Sequence, residues 1–483
     1  MPDTELRQNQ RWFAEANARY YQDNPMSPEW AKRKAPLVRG GLQDLRVAIV
    51  GSGAAAWYAA RSLLRHPGVE VTMLDKLPIP GGLIEFGVAP DHPSTKAAAS
   101  QFRWMRDQQA RFHLHLSVEV GSDIEHAQLL RHHHAVIYAH GAQQERTLDI
   151  LGEELVTGAI SFVGWYNNHP HFRDLAPDLS GRRVIVAGNG NVALDMARIL
   201  ATPPDALTGS DIAPHALSAL RDSRIEEVVI VGRRSAEYAA FTAAELHGLM
   251  QTPGVDVIVD PADLEDAPAS AKIDLLRIAA AAEPTPGARR VILRFANIIE
   301  RVSAPGDGAL TVAVAARDGG GAVNFEASLV LRAVGFRGGP IPGLPFAVET
   351  HTIHNHDRRV VDPETGAVLT GVYTTGWAAR GSSGGIGINR TCAETAVDHL
   401  MDDYVEGKLT RSLSSQDFSE ILRDSCSRAV TIEGAAGYAD ARHRAGTPTG
   451  PAATRRRELL RLWPTTSGRS HENAVAPASG RRA

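Results

Sequence analysis

The chain contains very little cysteine and no long apolar segment. Cys392 and Cys426 are its only cysteines among 483 residues, and neither belongs to a C-x-x-C motif. This excludes a secreted disulfide scaffold and a cysteine-ligated zinc or iron–sulfur centre, and it argues against a dithiol–disulfide reductase. No stretch reaches membrane-spanning length, and the N-terminal segment lacks the apolar core of a signal peptide. We therefore expect a cytoplasmic protein without membrane insertion.

The chain also lacks a dominant charge. Its 51 basic and 55 acidic residues give a formal net charge of −4, so the composition indicates no nucleic-acid partner. Hydrophobic residues make up 43% and charged residues 22% of the chain, values typical of globular proteins. A chain of 483 residues is too long for one hydrophobic core, and we expect two or three domains.

Two glycine-rich turns are the strongest positive signal. Each follows a predicted buried strand, opens a predicted helix and has the pattern G-x-G-x-x-A: Gly51, Gly53 and Ala56 in the first, Gly188, Gly190 and Ala193 in the second. Backbone N–H groups in such a turn, together with the N-terminus of the following helix, bind a pyrophosphate. Two turns predict two bound dinucleotides, and two dinucleotides in one chain indicate electron transfer between them.

The strand–helix–strand segment around the first glycine turn has an acidic residue at the position that typically contacts a ribose. Predicted strands at Val47–Val50 and Val69–Leu74 flank a predicted helix at Ala54–Leu64, and Asp75 follows the second strand. An acidic residue at this spacing after the first glycine typically hydrogen-bonds a ribose hydroxyl that carries no phosphate. An ordinary polar strand end is the alternative interpretation.

The second unit has arginines at the corresponding place. Its strand is predicted at Val184–Ala187 and its helix at Asn191–Leu200, while an insertion delays the next strand to Glu227–Val231. Arg233 and Arg234 follow that strand. Two adjacent guanidinium groups are suited to a 2′-phosphate, because each offers fork-shaped charged donors. We therefore predict NADP at the second turn, with a solvated basic turn as the alternative.

Other segments carry weaker signals. LPIPGGLIEFGVAPDHP is a long loop of the kind that is usually functional, and residues from about 256 to 331 predict short alternating strands. GWAARGSSGGIGINR predicts a glycine-rich turn whose following helix can approach a cofactor ring closely. The run of histidines at 132–134 does not predict a metal site, because consecutive side chains point in different directions.

The chain resembles the adrenodoxin reductase-like ferredoxin–NADP reductases, which are flavoproteins of the glutathione reductase superfamily. The matching segments occur in the same order from about residue 46 to about residue 400. The segments that carry the resemblance are GSGAAAWYAA, LPIPGGLIEFGVAPDHP, FVGWYNNHP, GNGNVALDMARIL, VVIVGRRS and GWAARGSSGGIGINR, of which APDHP and GNGNVALDMARIL are the specific ones. The resemblance implies an α/β fold with two Rossmann-like dinucleotide-binding domains, the NADP domain being inserted in a discontinuous FAD domain.

The domain boundaries follow from this resemblance. We expect an N-terminal extension at 1–45, the first part of the FAD-binding domain at 46–150, the NADP-binding domain at 151–336, the second part of the FAD-binding domain at 337–460 and a disordered tail at 461–483.

The resemblance also implies the site residues. Together with the first turn, FAD is expected to contact Gly51, Gly53, Ala55, Ala56, Asp75, Leu83, Val120, Trp377, Gly384, Gly385 and Ile386. NADP is expected to contact Arg146, Asn189, Gly190, Asn191, Val192, Arg233, Arg234, Glu245 and Gly384. His92 and Glu245 are the expected catalytic residues, and His92 would lie near the flavin and the nicotinamide.

The implied activity is electron transfer from NADPH through FAD to a ferredoxin-type iron–sulfur protein, with a monooxygenase as a candidate final acceptor. We expect a monomer or a weak dimer. Two other functions stay open: a flavoenzyme that acts directly on a small organic substrate, and an interaction module that retains the fold. A third, an electron-transfer subunit like the small subunit of glutamate synthase, is opposed by the absence of cysteine clusters.

Four positions depart from the pattern that the family often shows. Gly81 stands where an aromatic residue is common, Ser382 where proline is common and His140 where a small residue is common. Gly248 stands where a second acid often lies three residues beyond Glu245. If His92 pairs with that acid in the family, its charge state here is expected to differ.

Overall fold

The computed structural model describes residues 45–97 except 67, and residues 110–431 except 307, 318, 320 and 427. The predicted N-terminal extension, apart from residue 45, and the predicted tail lie outside the described residues.

The described strands are β1 (Leu45–Val50), β2 (Val69–Asp75), β3 (Phe112–Leu116), β4 (Ala135–Tyr138), β5 (Gln144–Glu145), β6 (Thr157–Gly158), β7 (Arg183–Ala187), β8 (Glu227–Val231), β9 (Val255–Val259), β10 (Arg289–Arg294), β11 (Asn297–Ser303), β12 (Leu310–Ala316), β13 (Val323–Ala327), β14 (Leu329–Arg332), β15 (Phe336–Arg337), β16 (Phe346–Ala347), β17 (Thr352–Ile353), β18 (Asn355–His356), β19 (Arg359–Val361), β20 (Val368–Thr374) and β21 (Val430–Thr431).

The described α-helices are α1 (Ala54–Leu64), α2 (Leu83–Phe86), α3 (Pro93–Lys96), α4 (His126–His132), α5 (Ala159–Tyr166), α6 (Asn191–Ala201), α7 (Pro214–Arg221), α8 (Ala243–Met250), α9 (Ala271–Ala281), α10 (Trp377–Arg380), α11 (Ile386–Val405) and α12 (Phe418–Ser425). Short 3₁₀ helices occur at Glu153–Leu155, Pro204–Leu207, Ala236–Tyr238 and Pro261–Leu264. No helix of these described segments is long and apolar enough to cross a membrane.

The first sheet has eight strands in the order β18-β19-β20-β4-β1-β2-β3-β21. Its central strands from β20 to β3 are parallel, and the outer pairs are antiparallel. Central strands such as β1 are buried along almost their whole length, as expected for a parallel sheet covered on both faces. The small residues of α1 pack on this sheet together with α11, because alanines at helical spacing allow close approach.

The second sheet has six strands in the order β6-β14-β7-β8-β10-β9, and all of them are parallel. Leu194 of α6 and Trp165 of α5 belong to the core on one face. The other face packs against the antiparallel sheet β11-β12-β13, where Val312 lies in one cluster with Ile185 and Val229.

The chain enters the second sheet after β4 and returns to the first sheet at β18, so the first sheet contains strands from both sides of the second. The outgoing and returning segments pair as the ribbon β5–β15, with Glu145 opposite Phe336. The predicted fold, two Rossmann-like domains with one inserted in the other, is confirmed. The predicted boundary residues stay predictions.

Most of the predicted elements agree with the structure to within two residues, including the delayed strand at Glu227–Val231. The prediction for 256–331 was wrong in one part, because α9 lies within it. Ser270 caps α9 by accepting a hydrogen bond from the Ile273 N–H, and Ile273 and Leu276 are buried at helical spacing. The long loop after β2 also contains two single-turn helices, α2 and α3.

Candidate functional site

The first glycine turn is shaped by close backbone contacts. Gly51 has a φ of +103°, and a Cβ atom there would lie 2.7 Å from the carbonyl oxygen of Ala139. Its N–H donates to the Leu74 carbonyl at 2.7 Å. At Gly53, by contrast, a Cβ would meet no atom within 4 Å. The first glycine is therefore required by the fold, and the second leaves open space at the start of α1 for a phosphate.

The second glycine turn has the same backbone features as the first. Gly188 has a φ of +107°, a Cβ there would clash with the Ala333 carbonyl oxygen, and its N–H donates to the Val231 carbonyl at 2.9 Å. A Cβ at Gly190 would have its nearest neighbour, Ala240, 4.0 Å away. The open space again lies at the N-terminus of the following helix, α6.

Asp75 is tied to the first turn. Its Oδ2 accepts hydrogen bonds from the Ser52 N–H at 2.7 Å and the Ser52 hydroxyl at 2.5 Å, and its Oδ1 accepts one from the Leu77 N–H at 2.8 Å. Burial raises the pKa of Asp75, although these hydrogen bonds oppose the shift. The carboxylate thus secures the glycine turn, and its contact with a ribose stays a prediction.

The arginines after β8 are open to solvent. Arg233 and Arg234 are exposed, and neither forms a salt bridge with any residue that the structure describes. The guanidinium carbon of Arg234 lies 6.0 Å from the centroid of the Tyr238 ring. Both cations are therefore available to a phosphate beside the second turn.

The second turn also connects to the helix that carries Glu245. The Asn191 Oδ1 accepts a hydrogen bond from the Thr242 N–H at 2.8 Å, and the Thr242 hydroxyl caps α8 by accepting from the Glu245 N–H at 3.2 Å. The Nδ2 of Asn189 is buried and has no hydrogen-bond partner among the described residues. Val192 is partly buried against the domain core. The predicted Asn189–Val192 turn therefore holds an unused donor.

Arg146 lies at the boundary between the domains. Its backbone N–H donates to the Gly335 carbonyl at 3.1 Å, next to the β5–β15 ribbon, and its side chain is exposed.

Five charged or titratable side chains meet where the two domains contact each other. The loop after β2 supplies Asp91 and His92, whereas Asp195, Arg198 and Glu245 come from the second domain. His92 Nε2 lies 3.2 Å from Asp195 Oδ1 and 3.6 Å from Glu245 Oε2. Arg198 donates to both oxygens of Asp91, at 2.7 and 3.0 Å, and its Nη2 lies 2.7 Å from both His92 Nε2 and Asp195 Oδ1.

This cluster shifts the protonation of His92 and Glu245. Burial and the charge of Arg198 lower the pKa of His92, but the hydrogen bond to Asp195 and the charges of Asp195 and Asp91 together raise it, so the net pKa is raised. Burial raises the pKa of Glu245, and the nearby Asp195 carboxylate raises it further. His92 Nε2 can donate to Asp195 or accept from Arg198, but not both at once. Nε2 therefore has two alternative states: protonated and donating to Asp195, or unprotonated and accepting from Arg198.

The cluster includes residues that the sequence reasoning missed. With Gly248 in place of a second acid, His92 was expected to differ in charge state, yet Asp195 supplies a carboxylate partner. Asp195 and Arg198 are spaced i, i+3 on α6 and share a salt bridge with N–O distance 2.7 Å. That spacing inside GNGNVALDMARIL was the signal that could have identified them.

A metal ion is an alternative occupant for this cluster. The donor atoms of His92, Asp195 and Glu245 all lie within 4.8 Å of one another. However, Arg198 already places a positive charge 2.7 Å from both His92 Nε2 and Asp195 Oδ1. The guanidinium thus supplies the cation for these carboxylates, and we infer no metal site here.

A second set of polar contacts crosses the same domain boundary. The ammonium group of Lys96 is buried and donates to the Glu85 carbonyl at 2.9 Å and to Asn167 Oδ1 at 2.8 Å, and it lies 3.3 Å from Asp211 Oδ2. Asn167 Nδ2 in turn donates to the Phe86 carbonyl at 3.1 Å. Because Asn167 and Asp211 belong to the inserted segment, these contacts fix the two domains relative to each other.

The glycine-rich turn before α11 forms a third part of the site. The Trp377 indole N–H donates to the Ser383 carbonyl at 3.0 Å and lies 3.4 Å from the Gly384 carbonyl oxygen. The Trp377 ring stacks on Phe336, with centroids 6.0 Å apart. Gly384 has a φ of +74°, and a Cβ at Gly385 would meet no atom within 4 Å. The turn therefore leaves an open approach to the α11 N-terminus, which begins at the next residue.

This turn is joined to both domains. The Ser382 hydroxyl donates to the Phe336 carbonyl at 2.6 Å, so the serine that replaces a common proline gains a hydrogen bond to β15. Gly376 has a φ of +66°, and a Cβ there would lie 2.7 Å from the Cβ of Ala55. The first glycine turn and the Trp377 turn are therefore neighbours.

The other predicted FAD residues surround the same edge of the first sheet. Ala55 and Ala56 are buried on α1, and Val120 is buried in a bridge with Ile124. Leu83 begins α2 and is 48% exposed, which leaves its side chain open to a ligand. Ile386 is the first residue of α11.

The three consecutive histidines each contact other side chains or backbone, and both His132 and His133 contact the Phe418 ring. His132 contacts the Phe418 ring, with centroids 5.6 Å apart, His133 Nδ1 lies 3.0 Å from the Leu129 carbonyl oxygen, and His134 Nδ1 accepts from the Arg46 N–H at 3.0 Å.

Comparisons with known proteins agree with this architecture. A family model described as pyridine nucleotide-disulphide oxidoreductase matches residues 45–262. The chain is 43% identical over 432 residues to a probable ferredoxin/ferredoxin–NADP reductase of Mycobacterium tuberculosis, covering 85% of this chain and 74% of that protein. It is 44% identical over 402 residues to NADPH-ferredoxin reductase FprA of the same organism, covering 76% and 86%.

This chain belongs to the adrenodoxin reductase-like ferredoxin–NADP reductases.

A human relative and a solved structure extend the comparison. Human mitochondrial NADPH:adrenodoxin oxidoreductase is 36% identical over 398 residues, covering 75% of this chain and 80% of that protein. The structure of Mycobacterium tuberculosis FprA in complex with NADPH matches this reductase with a TM-score of 0.78 at 39% identity, covering 87% of this chain and 99% of that chain. The family predicted from the sequence is thus confirmed.

Proposed function

We propose that this protein is an NADPH-dependent FAD flavoprotein that passes electrons to a ferredoxin-type iron–sulfur protein, with a monooxygenase as a candidate final acceptor. We also propose that it works in the cytoplasm as a monomer or weak dimer. The observation that supports the proposal is that two glycine turns occur in one chain and that different residues follow the neighbouring strand at each turn. One turn is held by Asp75 and the other lies beside Arg233 and Arg234, and the His92 cluster lies where the two domains meet.

The described residues fit FAD at the first turn. Open space at Gly53 and Gly385 would admit a pyrophosphate and a ring system, and the side chain of Leu83 is exposed there. The proposed FAD contacts are Gly51, Gly53, Ala55, Ala56, Asp75, Leu83, Val120, Trp377, Gly384, Gly385 and Ile386.

The described residues also fit NADP at the second turn. Gly190 leaves space at the α6 N-terminus, Asn189 has an unused buried donor, and the exposed arginines supply positive charge for a 2′-phosphate. The proposed NADP contacts are Arg146, Asn189, Gly190, Asn191, Val192, Arg233, Arg234, Glu245 and Gly384.

Bound FAD supplies hydride acceptance from NADPH and onward electron transfer, which no protein side chain can perform. The role of the protein is to hold two cofactors in a fixed relation and to set the local charge. His92 Nε2 lies within hydrogen-bonding distance of Asp195, and Arg198 balances the negative charge of the carboxylates around it. The buried contacts of Lys96 keep the domains together, so that His92 and Glu245 stay within reach of each other.

The alternative function, direct action on a small organic substrate, would use the larger cavity that Gly81 could create in place of an aromatic side chain. The structure offers a different explanation for a glycine at position 81. Its φ is +120°, and its N–H donates to the Ser52 carbonyl at 3.0 Å. A glycine is therefore favoured here by the backbone alone, and ferredoxin reduction is the better-supported function.

The two functions differ in how the reduced protein is reoxidised. The purified protein would be mixed with NADPH and cytochrome c, with and without an added ferredoxin. We expect cytochrome c reduction to depend on the ferredoxin. Failure with a panel of ferredoxins, together with reoxidation by a small organic compound, would instead support the organic-substrate function.

A further inference from the structure

Tyr238 lies in the loop between β8 and α8 and has no role in the electron-transfer function as proposed so far. Its side chain is 58% exposed, and it is the only aromatic residue among the exposed large apolar side chains of the described residues. The guanidinium carbon of Arg234 lies 6.0 Å from the centroid of its ring. A large ring is therefore open to solvent beside the arginines that we propose to bind the 2′-phosphate.

The backbone on both sides of Tyr238 is held in place. The ammonium group of Lys272, in the first turn of α9, donates to the carbonyls of Glu237 and Ala239 at 3.1 and 2.6 Å. Ala236 and Ala239 are buried in the core of the second domain. The position of the Tyr238 backbone is thus set before any ligand binds, and only the two side-chain torsions of the ring need to be fixed when a ligand covers it.

The same loop contacts the second glycine turn. The Phe241 N–H donates to the Asn189 carbonyl at 3.0 Å, and the Thr242 N–H donates to Asn191 Oδ1 at 2.8 Å. The loop that carries Tyr238 therefore runs from the two arginines to the turn proposed to bind the pyrophosphate. These are the two groups that would hold the charged ends of the adenosine half of NADP.

The covalent structure of NADP determines what must lie beside these groups. The adenine is attached to C1′ of the ribose, next to C2′, which carries the phosphate. A group that binds the base therefore lies close to the group that binds the phosphate, and the Tyr238 ring lies close to Arg234. An exposed aromatic ring offers its face to a base, and stacking needs no hydrogen-bond partner.

We propose that the Tyr238 ring forms the adenine-binding surface of the NADP site, on which the base of the nucleotide stacks. This inference rests on the proposed binding of NADP at the second turn. It separates two contributions to nucleotide binding. Arg233 and Arg234 would distinguish NADPH from NADH, whereas Tyr238 would contribute equally to both, because both contain adenine.

The test compares three electron donors for the flavin-loaded full chain: NADPH, NADH and reduced nicotinamide mononucleotide, which has no adenosine. The kcat/KM for anaerobic flavin reduction is measured for each donor. Tyr238→Ala removes the ring, and Tyr238→Phe keeps the ring but removes the hydroxyl. Ile278→Ala, at a residue of α9 that is 60% exposed, is the control matched in exposure. Circular dichroism of each variant reports whether it folds.

We expect Tyr238→Ala to lower kcat/KM for NADPH and NADH by the same factor, roughly five- to tenfold, because stacking of a base on an exposed ring is lost. The value for the mononucleotide should change less than twofold, and Tyr238→Phe and Ile278→Ala should resemble the wild type with all three donors.

Three results would overturn the inference: unchanged values for both dinucleotides in Tyr238→Ala, a loss confined to NADPH or shared by the mononucleotide, or an equal loss in Tyr238→Phe. A wild-type flavin that NADPH does not reduce would instead contradict the proposed function.

Discussion

Replacing both exposed arginines after β8 should remove the preference for NADPH. Arg233 and Arg234 form no salt bridge within the described part of the chain, so the double substitution Arg233→Ala with Arg234→Ala breaks no internal ion pair there. A charge-assisted hydrogen bond to phosphate contributes roughly 1.5–3 kcal/mol when it is shielded from water. Both side chains are exposed, and we discount each contact to about 1 kcal/mol.

The two contacts then sum to about 2 kcal/mol, or about a 30-fold loss in kcat/KM for NADPH. The value for NADH, which has no 2′-phosphate, should change less than about twofold, since the turn at Gly188 and Gly190 is left intact. The assay is anaerobic flavin reduction by each nucleotide, followed by flavin absorbance. Arg277→Ala, at an arginine on α9 with a 43% exposed side chain, is the matched control. Equal losses with NADPH and NADH would refute the assignment of the arginines to the phosphate.

Four further substitutions test the rest of the site. Asp195→Asn removes the carboxylate that raises the pKa of His92, so the pH dependence of flavin reduction that reports His92 should move to lower pH; an unmoved profile would contradict the pairing. In flavin-free protein, Gly51→Ala should lower the free energy of unfolding by about 1–3 kcal/mol, because it forces a side chain into a positive φ and a close carbonyl contact. Gly53→Ala should leave the melting temperature of the flavin-free protein unchanged but reduce the flavin content of the purified protein, and similar melting temperatures for the two flavin-free variants would be inconsistent with this difference. Lys96→Met should lower the free energy of unfolding in urea by about 1–3 kcal/mol, since it leaves buried oxygens unpaired across the domain boundary. An unchanged free energy of unfolding would show that these contacts do not hold the two domains together.

Local patterns in the sequence predicted much of the fold. The two glycine turns, their helices and the strand at Glu227–Val231 follow from short-range periodicity and from the backbone requirements of Gly51 and Gly188. The helix α9 was missed because its apolar residues lie between two regions that alternate like strands. Its capping residue, Ser270, was the local signal that could have revealed it.

The partners of His92 could not be predicted from local patterns. His92 and Asp195 are separated by 103 positions and lie in different domains, so their contact depends on how the domains pack. The same is true of the contact between Lys96 and Asn167, whose hydrogen bond joins residues 71 positions apart. The resemblance predicted His92 and Glu245 as catalytic residues, and the structure adds Asp195 and Arg198, which both contact His92.

Anaerobic titration of the purified protein with NADPH, followed by addition of oxidised ferredoxin, tests the central claim most directly. We predict that NADPH bleaches the flavin absorbance at about one equivalent per bound FAD, that NADH does so far less effectively, and that ferredoxin restores the absorbance as it is reduced. A flavin that NADPH does not reduce, or one that NADPH reduces but ferredoxin cannot reoxidise, would contradict the account.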